Sequence, residues 1–396
     1  MNNRLPMIFI LLTVVLDSMG IGLIMPVMPD LIQSLEGGDL GQAALWGGVL
    51  ATIFAIMQFL FGPTIGSISD RFGRRPVLLI ALVVMSLDYV LMAVAGTIWL
   101  LVLGRIIGGI TAATQSTASA YMADISAPEE KAANFGLIGA AFGVGFVIGP
   151  LLGGLLAEYG TRAPFWAAAV LAGMNAIFGY FALPETVTDR IRRPFLWRRA
   201  NPLGAFKSIN KLPGLGRLMI ISFVYSIAFF VYPSIWAYFG KLQFGWGPGM
   251  IGLSLGAFGI GIAITQGLLM RPILKRIGER NAVMLGLGID VVAFISLGFV
   301  TNGWIALALT PLTALGSIAG PALQGIISRT AADDQQGELQ GALTSINAVA
   351  AILAPLVMTQ LFFFFTHDNA PVSLPGAPFL FSALFVLGAM AIFVPV

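Results

Sequence analysis

Three acidic residues and one arginine lie within long apolar runs of this sequence. Asp17, Asp88 and Asp290 each interrupt a run of hydrophobic residues, and Arg105 interrupts another. A charge at the centre of a membrane helix costs roughly 2.5–3.5 kcal/mol, so such side chains normally face a cavity or an opposite charge. A carboxyl group whose access alternates between the two sides of a membrane can bind a proton on one side and release it on the other. These residues therefore predict either proton-coupled transport or fixed ion pairs between helices.

The four charged residues fall into two pairs by their depth in the membrane. Asp88 and Arg105 lie about eight and about seven residues from the outer ends of their runs, which places both roughly 10–12 Å deep. An ion pair between them is geometrically possible, and a structural and a functional role both remain open. Asp17 and Asp290 lie about ten to twelve residues from the inner ends of their runs, close to the midplane. Since no second intramembrane cation accompanies them, we expect them to act in proton coupling or substrate contact.

Two amides, Gln58 and Gln266, also fall within apolar runs. Such side chains either contact a substrate or form hydrogen bonds between helices. The sequence leaves both interpretations open.

The loop "GSISDRFGRRP" contains one acid, three arginines and two glycines within eleven residues. We expect both glycines to permit positive φ in a tight turn. Arg74 can reach Asp70 or Asp124, the last of which ends an apolar run at the same membrane surface. The loop predicts a charged latch that opens and closes during transport, and static anchoring is the alternative. This predicted cytoplasmic gate comprises Gly66, Asp70, Arg71, Gly73, Arg74, Arg75 and Asp124.

A run rich in glycine, "GAAFGVGFVIGPLLGG", follows further along the chain. Glycines four residues apart clear one helix face for close approach of a neighbour, and proline inside a helix removes a hydrogen bond and kinks it. We expect tight helix packing that seals one half of the protein against leak. The residues of this predicted packing face are Gly139, Gly143, Gly149, Pro150, Gly153 and Gly154.

The composition indicates an all-α membrane protein. Hydrophobic residues make up 58% of the chain and charged residues only 10%, and about twelve apolar runs are each long enough to cross a bilayer as a helix. Basic residues concentrate in alternate loops, which predicts that both termini are cytoplasmic. The first run has no cleavage site and is expected to be retained as a span. The chain ends at Val396 inside the last predicted span, so a longer natural chain remains open.

Several function classes are not expected from this sequence. The chain has no cysteine and one histidine, His367, in a predicted outer loop, so we expect neither a metal site nor a cysteine nucleophile. No nucleotide-binding P-loop pattern is present. The positive net charge is explained by topology, and a nucleic-acid partner is not expected. These features argue against an enzyme.

Two segments predict the domain organisation. "RFGRRPVLLIAL" and "RIGERNAVMLGL" share the pattern R-x-G-x-R before an apolar helix, about 205 residues apart. This repeat predicts two six-helix bundles, residues 1–183 and 215–396, joined by a cytoplasmic linker at 184–214. Proteins built in this way place the substrate site between the halves, near the midplane.

The sequence resembles the major facilitator superfamily, and within it the tetracycline/proton antiporters of bacterial inner membranes. The resemblance is carried, in family order, by "LDSMGIGLIMPVMP", "SDRFGRRPVLL", "SLDYVLMA", "LGRIIGGITAAT", the glycine-rich run and "PALQG". The loop from Gly66 and the arginine at position 105 mark the superfamily, whereas the opening stretch and "SLDY" point to the tetracycline branch.

The resemblance implies a role for each matching residue. Asp17, Asp88 and Asp290 match the family's membrane acids and Arg105 its membrane arginine. Gln58 and Gln266 match amides of the drug site, and Asp70, Arg74 and Asp124 match the cytoplasmic charge cluster. It further implies export of a magnesium–tetracycline chelate in exchange for a proton. We expect no permanently bound cofactor, a small-molecule drug as substrate, the lipid bilayer as surroundings, and a functional monomer.

One departure from the family concerns the substrate. Aligning "GLSLGAFGIGIAITQ" places Ile262 where the family usually carries a histidine, so a group that titrates near neutral pH is missing. Two alternatives therefore stay open. One is a proton-coupled exporter of another amphipathic drug or metabolite, and the other is a membrane sensor or scaffold that transports nothing.

Overall fold

The computed structural model describes residues 4–112, 114–127, 130–188, 215–331, 335–367, 369–370 and 372–394, and these residues are helical apart from short connections. Before the predicted linker the helices are α1 (Arg4–Ile24), α2 (Met28–Glu36), α3 (Leu40–Phe72), α4 (Arg74–Val94), α5 (Ile98–Thr111), α6 (Thr114–Ile125), α7 (Lys131–Leu156) and α8 (Ala163–Ala182). After it they are α9 (Gly216–Phe229), α10 (Val231–Phe244), α11 (Pro248–Ile264), α12 (Met270–Phe299), α13 (Gly303–Gly316), α14 (Ala319–Thr330), α15 (Gln336–Phe364) and α16 (Ala377–Phe393).

The helices fit the prediction of a membrane protein. Ten helical stretches of the described chain are long and apolar enough to cross a membrane. One of them, Pro248–Phe299, runs for 52 residues and contains a non-helical residue at Gly278, and α16 is a shorter apolar helix. These stretches are consistent with the predicted number of about twelve spans.

Proline and glycine decide where the spans are interrupted. The first predicted span is broken, because α1 ends at Ile24 and α2 begins at Met28, around Pro26. Proline has no amide hydrogen to donate and disfavours helix in the residue before it. Pro150, by contrast, lies inside the continuous helix α7.

The described chain forms two compact units. The first comprises residues 1–36 and 53–202, and the second comprises residues 37–52 and 203–396. The start of α3 thus packs with the second unit, where the Thr52 hydroxyl donates to the Ile352 carbonyl at 3.0 Å. Of the predicted linker, residues 184–188 have no regular secondary structure and 189–214 lie outside the described residues.

In the first unit, α1 lies at the centre, packed against α6, α7 and α8. Its buried side chains join a core built around Phe9, Ile10, Leu82 and Tyr121. A buried hydrogen bond of 2.9 Å from Asn175 to Thr13 ties α8 to α1. The acid on α1 is therefore held by a helix with neighbours on several sides.

The second unit has an aromatic core. Tyr232 on α10 lies 4.8 Å from Phe258 and 5.5 Å from Phe294 between ring centroids, and Trp236 donates to the Ser254 hydroxyl at 2.8 Å. Aromatic pairs at these separations stabilise helix packing beyond their buried area. Phe294 lies on α12, so this core packs against the helix that carries Asp290.

The repeat in the sequence is also a repeat of backbone conformation. Gly73 has φ 114° and ψ 148°, and Gly278 has φ 74° and ψ 171°. L-amino acids with a side chain rarely adopt this region. Both R-x-G-x-R segments therefore turn through their glycine.

Candidate functional site

Two membrane acids of the first unit lie on neighbouring parts of its core. Asp17 is half-buried on α1, and its Oδ1 has no hydrogen-bond partner among the described residues. Asp88 on α4 is only 3% exposed. A Cβ placed on Gly104 or Gly108 of α5 would lie 2.9 Å or 2.7 Å from an Asp88 carboxylate oxygen. The bare face of α5 therefore makes room for this carboxyl group.

Arg105 does not form the ion pair with Asp88 that the sequence made geometrically possible. Both residues lie in the described part of the chain, and no Arg105 nitrogen is within 4.0 Å of an Asp88 carboxylate oxygen, the distance required for a salt bridge. Its guanidinium instead contacts the Met92 sulfur and lies 5.4 Å from the centre of the Phe54 ring. Such cation–π contact satisfies part of the charge. Asp88 turns toward the glycines of α5, which explains why the two side chains do not meet.

Tyr89 belongs to the same cluster and was not predicted from the sequence. Its charge environment includes Asp17, Asp88 and Arg105, and its hydroxyl occupies the space beside Gly20 on α1. A tyrosine next to an acid in "SLDY" is a weak signal in a sequence, because most such tyrosines simply fill a core. Asp17, Asp88 and Arg105 all lie close enough to Tyr89 to act electrostatically on its hydroxyl.

The second unit carries its acid, Asp290, in the middle of α12, with an exposure of 0%. The carboxyl group lies against Gly316 of α13, in the space that a Cβ there would occupy. The Tyr225 hydroxyl lies near it on α9, but neither this hydroxyl nor either Asp290 oxygen has a hydrogen-bond partner among the described residues. Tyr232 lies near Asp290 as well, and its buried hydroxyl has no hydrogen-bond partner among the described residues. Neither tyrosine was predicted from the sequence, since both lie far from Asp290 along the chain.

The two amides lie on exposed surfaces of their helices. Gln58 is exposed on α3 and Gln266 is exposed after α11. Gln266 belongs to a short π-helix, Thr265–Leu269. π-helical turns inside α-helices are rare and frequently mark functional sites. Ile262, one turn earlier, is half-buried.

The predicted gate forms an ion cluster within the first unit. Arg74 bonds Asp70 at 2.6 Å and Asp124 at 2.9 Å, and it also donates to the Ser69 hydroxyl at 2.9 Å. Arg75 donates to the Tyr180 carbonyl at 2.8 Å. Arg71 lies 5.1 Å from the Phe72 ring centre instead of joining the cluster. Arg74 therefore joins the ends of α3, α4 and α6.

The turn of this loop differs from the expectation. Gly66 lies inside α3, which runs on to Phe72, and its φ is not positive. Only Gly73 adopts positive φ. One glycine with positive φ is enough to reverse the chain, so helix α3 continues past Gly66. The Gly66 carbonyl accepts a hydrogen bond from the Ser69 hydroxyl at 2.8 Å.

Glu185, which follows α8, completes the cluster and was not predicted. Its carboxylate accepts from the backbone amides of Arg74 and Arg75 at 2.9 Å and 3.2 Å, and a Cβ on Gly73 would overlap it. The next residue, Thr186, donates to Asp124 at 3.0 Å. A carboxylate at a helix N-terminus satisfies free amides and the helix dipole. Glu185 thus caps α4 from a segment more than a hundred residues away.

The glycine-rich run on α7 has two different surfaces. Gly149 and Gly153 lie directly against the backbone of α1 at Met19 and Leu23, and Gly154 is buried. Pro150 fits against Gly22 of α1, where a Cβ would lie 2.5 Å from its ring. Gly139 and Gly143, however, have no described atom within 4 Å of where a Cβ would be. Close packing explains the second half of the run, and the expectation for Gly139 and Gly143 is not met, because their face is open.

No group of three or more His, Asp or Glu residues that could hold a metal ion occurs in the part of the chain that the structure describes. His367 stacks on Phe363 with ring centroids 5.0 Å apart. The chemistry available at the site is therefore that of buried carboxyl groups, tyrosine hydroxyls and one arginine.

Comparisons with known proteins identify the family of this chain. The family model of the Major Facilitator Superfamily matches residues 10–355 and 218–396. The chain is 43% identical to the tetracycline resistance protein, class C, of Escherichia coli, over 91% of this chain and 90% of that protein. It is 38% identical to the class G protein of Vibrio anguillarum, over 90% of each.

A solved structure supports the same fold. A bacterial homologue of the human lysosomal transporter Spinster, in an inward-facing and unoccupied conformation, superposes with a TM-score of 0.78. The alignment covers 98% of this chain and 95% of that chain at 16% identity. The chain therefore belongs to the Major Facilitator Superfamily and, within it, to the tetracycline resistance proteins.

Proposed function

We propose that the protein is an antiporter that exports tetracycline, as its magnesium chelate, in exchange for protons. The observation that carries this proposal is the 43% identity to a tetracycline resistance protein across 91% of the chain. Proton coupling is typical of the family, and the three membrane acids supply groups that can carry a proton. The protein acts as a transporter, and we propose that it has no enzymatic activity.

The proton is carried by the buried acids. A carboxyl group that loses its proton in an apolar interior leaves an uncompensated charge, whereas the protonated group is neutral. Asp290 is enclosed by α12, α13 and α9, and Asp17 has a carboxylate oxygen without a described partner. Protonation and release at these two residues, each in its own unit, would drive the conformational cycle. Asp88 and Arg105 tune the electrostatics beside Asp17.

The drug contacts come from the exposed amides. Gln58 and Gln266 expose donors and acceptors that suit the polar edge of a tetracycline chelate. Magnesium is cargo here, and we propose no permanently bound cofactor. The gate of Asp70, Arg74 and Asp124 would open and close access from the cytoplasm.

The positive-inside rule and the bacterial relatives support a proposal about the location of the protein. We propose a bacterial inner-membrane protein with both termini in the cytoplasm, functional as a monomer and without a nucleic-acid partner.

The test uses everted membrane vesicles with an inside-acid proton gradient. Tetracycline with magnesium should dissipate the gradient in wild type and not in Asp290→Asn. Glu158→Gln, which changes an exposed acid after α7, is the matched control and should behave as wild type. Removing free magnesium with a chelator should reduce the dissipation of the gradient by tetracycline, because the cargo is the metal complex.

Ile262 favours a second candidate, a proton-coupled exporter of another amphipathic compound. If tetracycline leaves the gradient intact while another lipophilic cation dissipates it in an Asp290-dependent way, this candidate replaces the first. If no compound moves protons, antiport is refuted and a sensor or scaffold remains.

A further inference from the structure

The second unit contains an ion pair that matches the gate of the first unit with its charges reversed. Glu279 lies beside the turn at Gly278, and its carboxylate pairs with Arg329 in the last turn of α14. In the first unit, Arg74 follows the turn at Gly73 and pairs with Asp124 near the end of α6. Glu279 lies as far beyond Arg74 along the chain as Arg329 lies beyond Asp124, about 205 residues in both cases.

The backbone confirms that the two positions are equivalent. Gly73 and Gly278 both turn with positive φ immediately before the paired residue. The next residue in each segment is an arginine that donates to a backbone carbonyl near the end of a later helix of its unit. Arg75 donates to the Tyr180 carbonyl at 2.8 Å, and Arg280 donates to the Val394 carbonyl at 2.6 Å. The second unit therefore repeats the local architecture of the gate, with the polarity of one ion pair exchanged.

The exposure of the second pair favours a contact that breaks easily. The Arg329 side chain is 62% exposed and that of Glu279 is 28% exposed, against 13% and 18% for Arg74 and Asp124. An ion pair so open to water contributes little to the stability of a fold. A contact of this kind suits a latch that opens in each cycle better than a permanent anchor.

We propose that Glu279 and Arg329 form a second cytoplasmic latch, which must close and reopen during transport. The proposal rests on the transport function and orientation proposed above. The latch joins the start of the long apolar part of α12, which carries Asp290, to the end of α14. It requires opposite charges at the two positions, in either order.

The first test is charge inversion. Glu279→Arg and Arg329→Glu should each reduce tetracycline-dependent proton movement about fivefold or more, the lower range of coupling between sites. The double variant, which recreates the polarity of the first unit, should recover at least half of the wild-type rate. Lys275→Glu changes the charge of an exposed residue three positions before Gly278 and should have little effect. The amount of each variant in the membrane is measured, so that a failure to insert is recognised. If a charge-inverted single variant does not insert, Glu279→Gln and Arg329→Gln replace the two single variants.

The second test does not depend on the substrate. Because the chain has no cysteine, Gly325→Cys introduces a single thiol. A Cβ at Gly325 would lie 3.5 Å from Arg329 and 3.6 Å from Glu279, an ordinary contact. The rate at which a membrane-impermeant maleimide labels this thiol in everted vesicles should rise several-fold with Glu279→Arg and return with the double variant.

Each result decides the question. Full transport by both single variants would overturn the proposal, and so would a double variant that stays inactive although it is present in the membrane. If wild type does not move tetracycline, the labelling test still applies. Charge-dependent labelling would then support the latch while the substrate proposal fails.

Discussion

The carboxyl group of Asp290 lies directly against Gly316, so that an acid on α12 occupies the space of a missing side chain on α13. Asp88 uses the same solution, since it lies against Gly104 and Gly108 of α5. In both units, glycine on the following helix makes it possible to enclose a membrane carboxyl group. The position of the acid depends on its neighbour as much as on its own helix.

Gly316→Ala should therefore damage transport without changing a charged residue. One extra methyl group in a packed site typically costs about 1–3 kcal/mol, so we expect proton movement in vesicles to fall roughly tenfold. Gly388→Ala on α16 is the control, because no described atom lies within 4 Å of its Cβ position. Equal activity of the two variants would show that Asp290 does not need this space.

The glycine-rich run of α7 should divide into sensitive and tolerant positions. Gly149→Ala would push a methyl group into the α1 backbone at Met19 and should lower thermal stability in detergent, by about 1–3 kcal/mol. Gly139→Ala, on the same helix, points into open space and should leave the melting temperature close to that of wild type. The opposite order of stability would contradict the packing described for α1 and α7.

Glu185→Ala should weaken the gate from outside the loop. Loss of the carboxylate leaves the Arg74 and Arg75 amides uncapped, which typically costs about 0.5–2 kcal/mol. We expect lower thermal stability and slower tetracycline-driven proton movement. Glu158→Ala removes an exposed acid elsewhere in the same unit and serves as the control. Unchanged transport in Glu185→Ala would show that capping of α4 does not contribute to gating.

Ile262→His should give transport a new dependence on pH. Histidine has an unperturbed pKa of about 6.5, and no other side chain has an unperturbed pKa in the neutral range. We expect the rate of tetracycline transport to change between about pH 5.5 and 7.5 in a way that wild type does not show. Ile260→His, at an exposed position of the same helix, is the control. Identical pH profiles for wild type and Ile262→His would separate position 262 from the transport pathway.

Much of the fold follows from local properties of the sequence. Apolar runs of membrane length must be helical, because a bilayer offers no other partner for backbone hydrogen bonds. The acids Asp17, Asp88 and Asp290 are recognisable in the sequence because a charge within an apolar run is costly and therefore rare. The positive φ of Gly73 was predicted correctly from the charged loop. Positive φ was also expected at Gly66, but this residue continues helix α3. Residue type alone does not show which of two nearby glycines makes the turn.

The sequence by itself determined the class of protein, the membrane acids and the charged loop, because each depends on residue types within one segment. Only the tertiary structure decided which side chains meet. It separated Arg105 from Asp88, placed Gly316 and Tyr225 beside Asp290, and brought Glu185 to the start of α4. It also revealed the Glu279–Arg329 pair with reversed charges. The physical reason is that contacts between helices depend on the rotation and packing of each helix, and hydrophobic periodicity specifies neither when nearly every face is apolar.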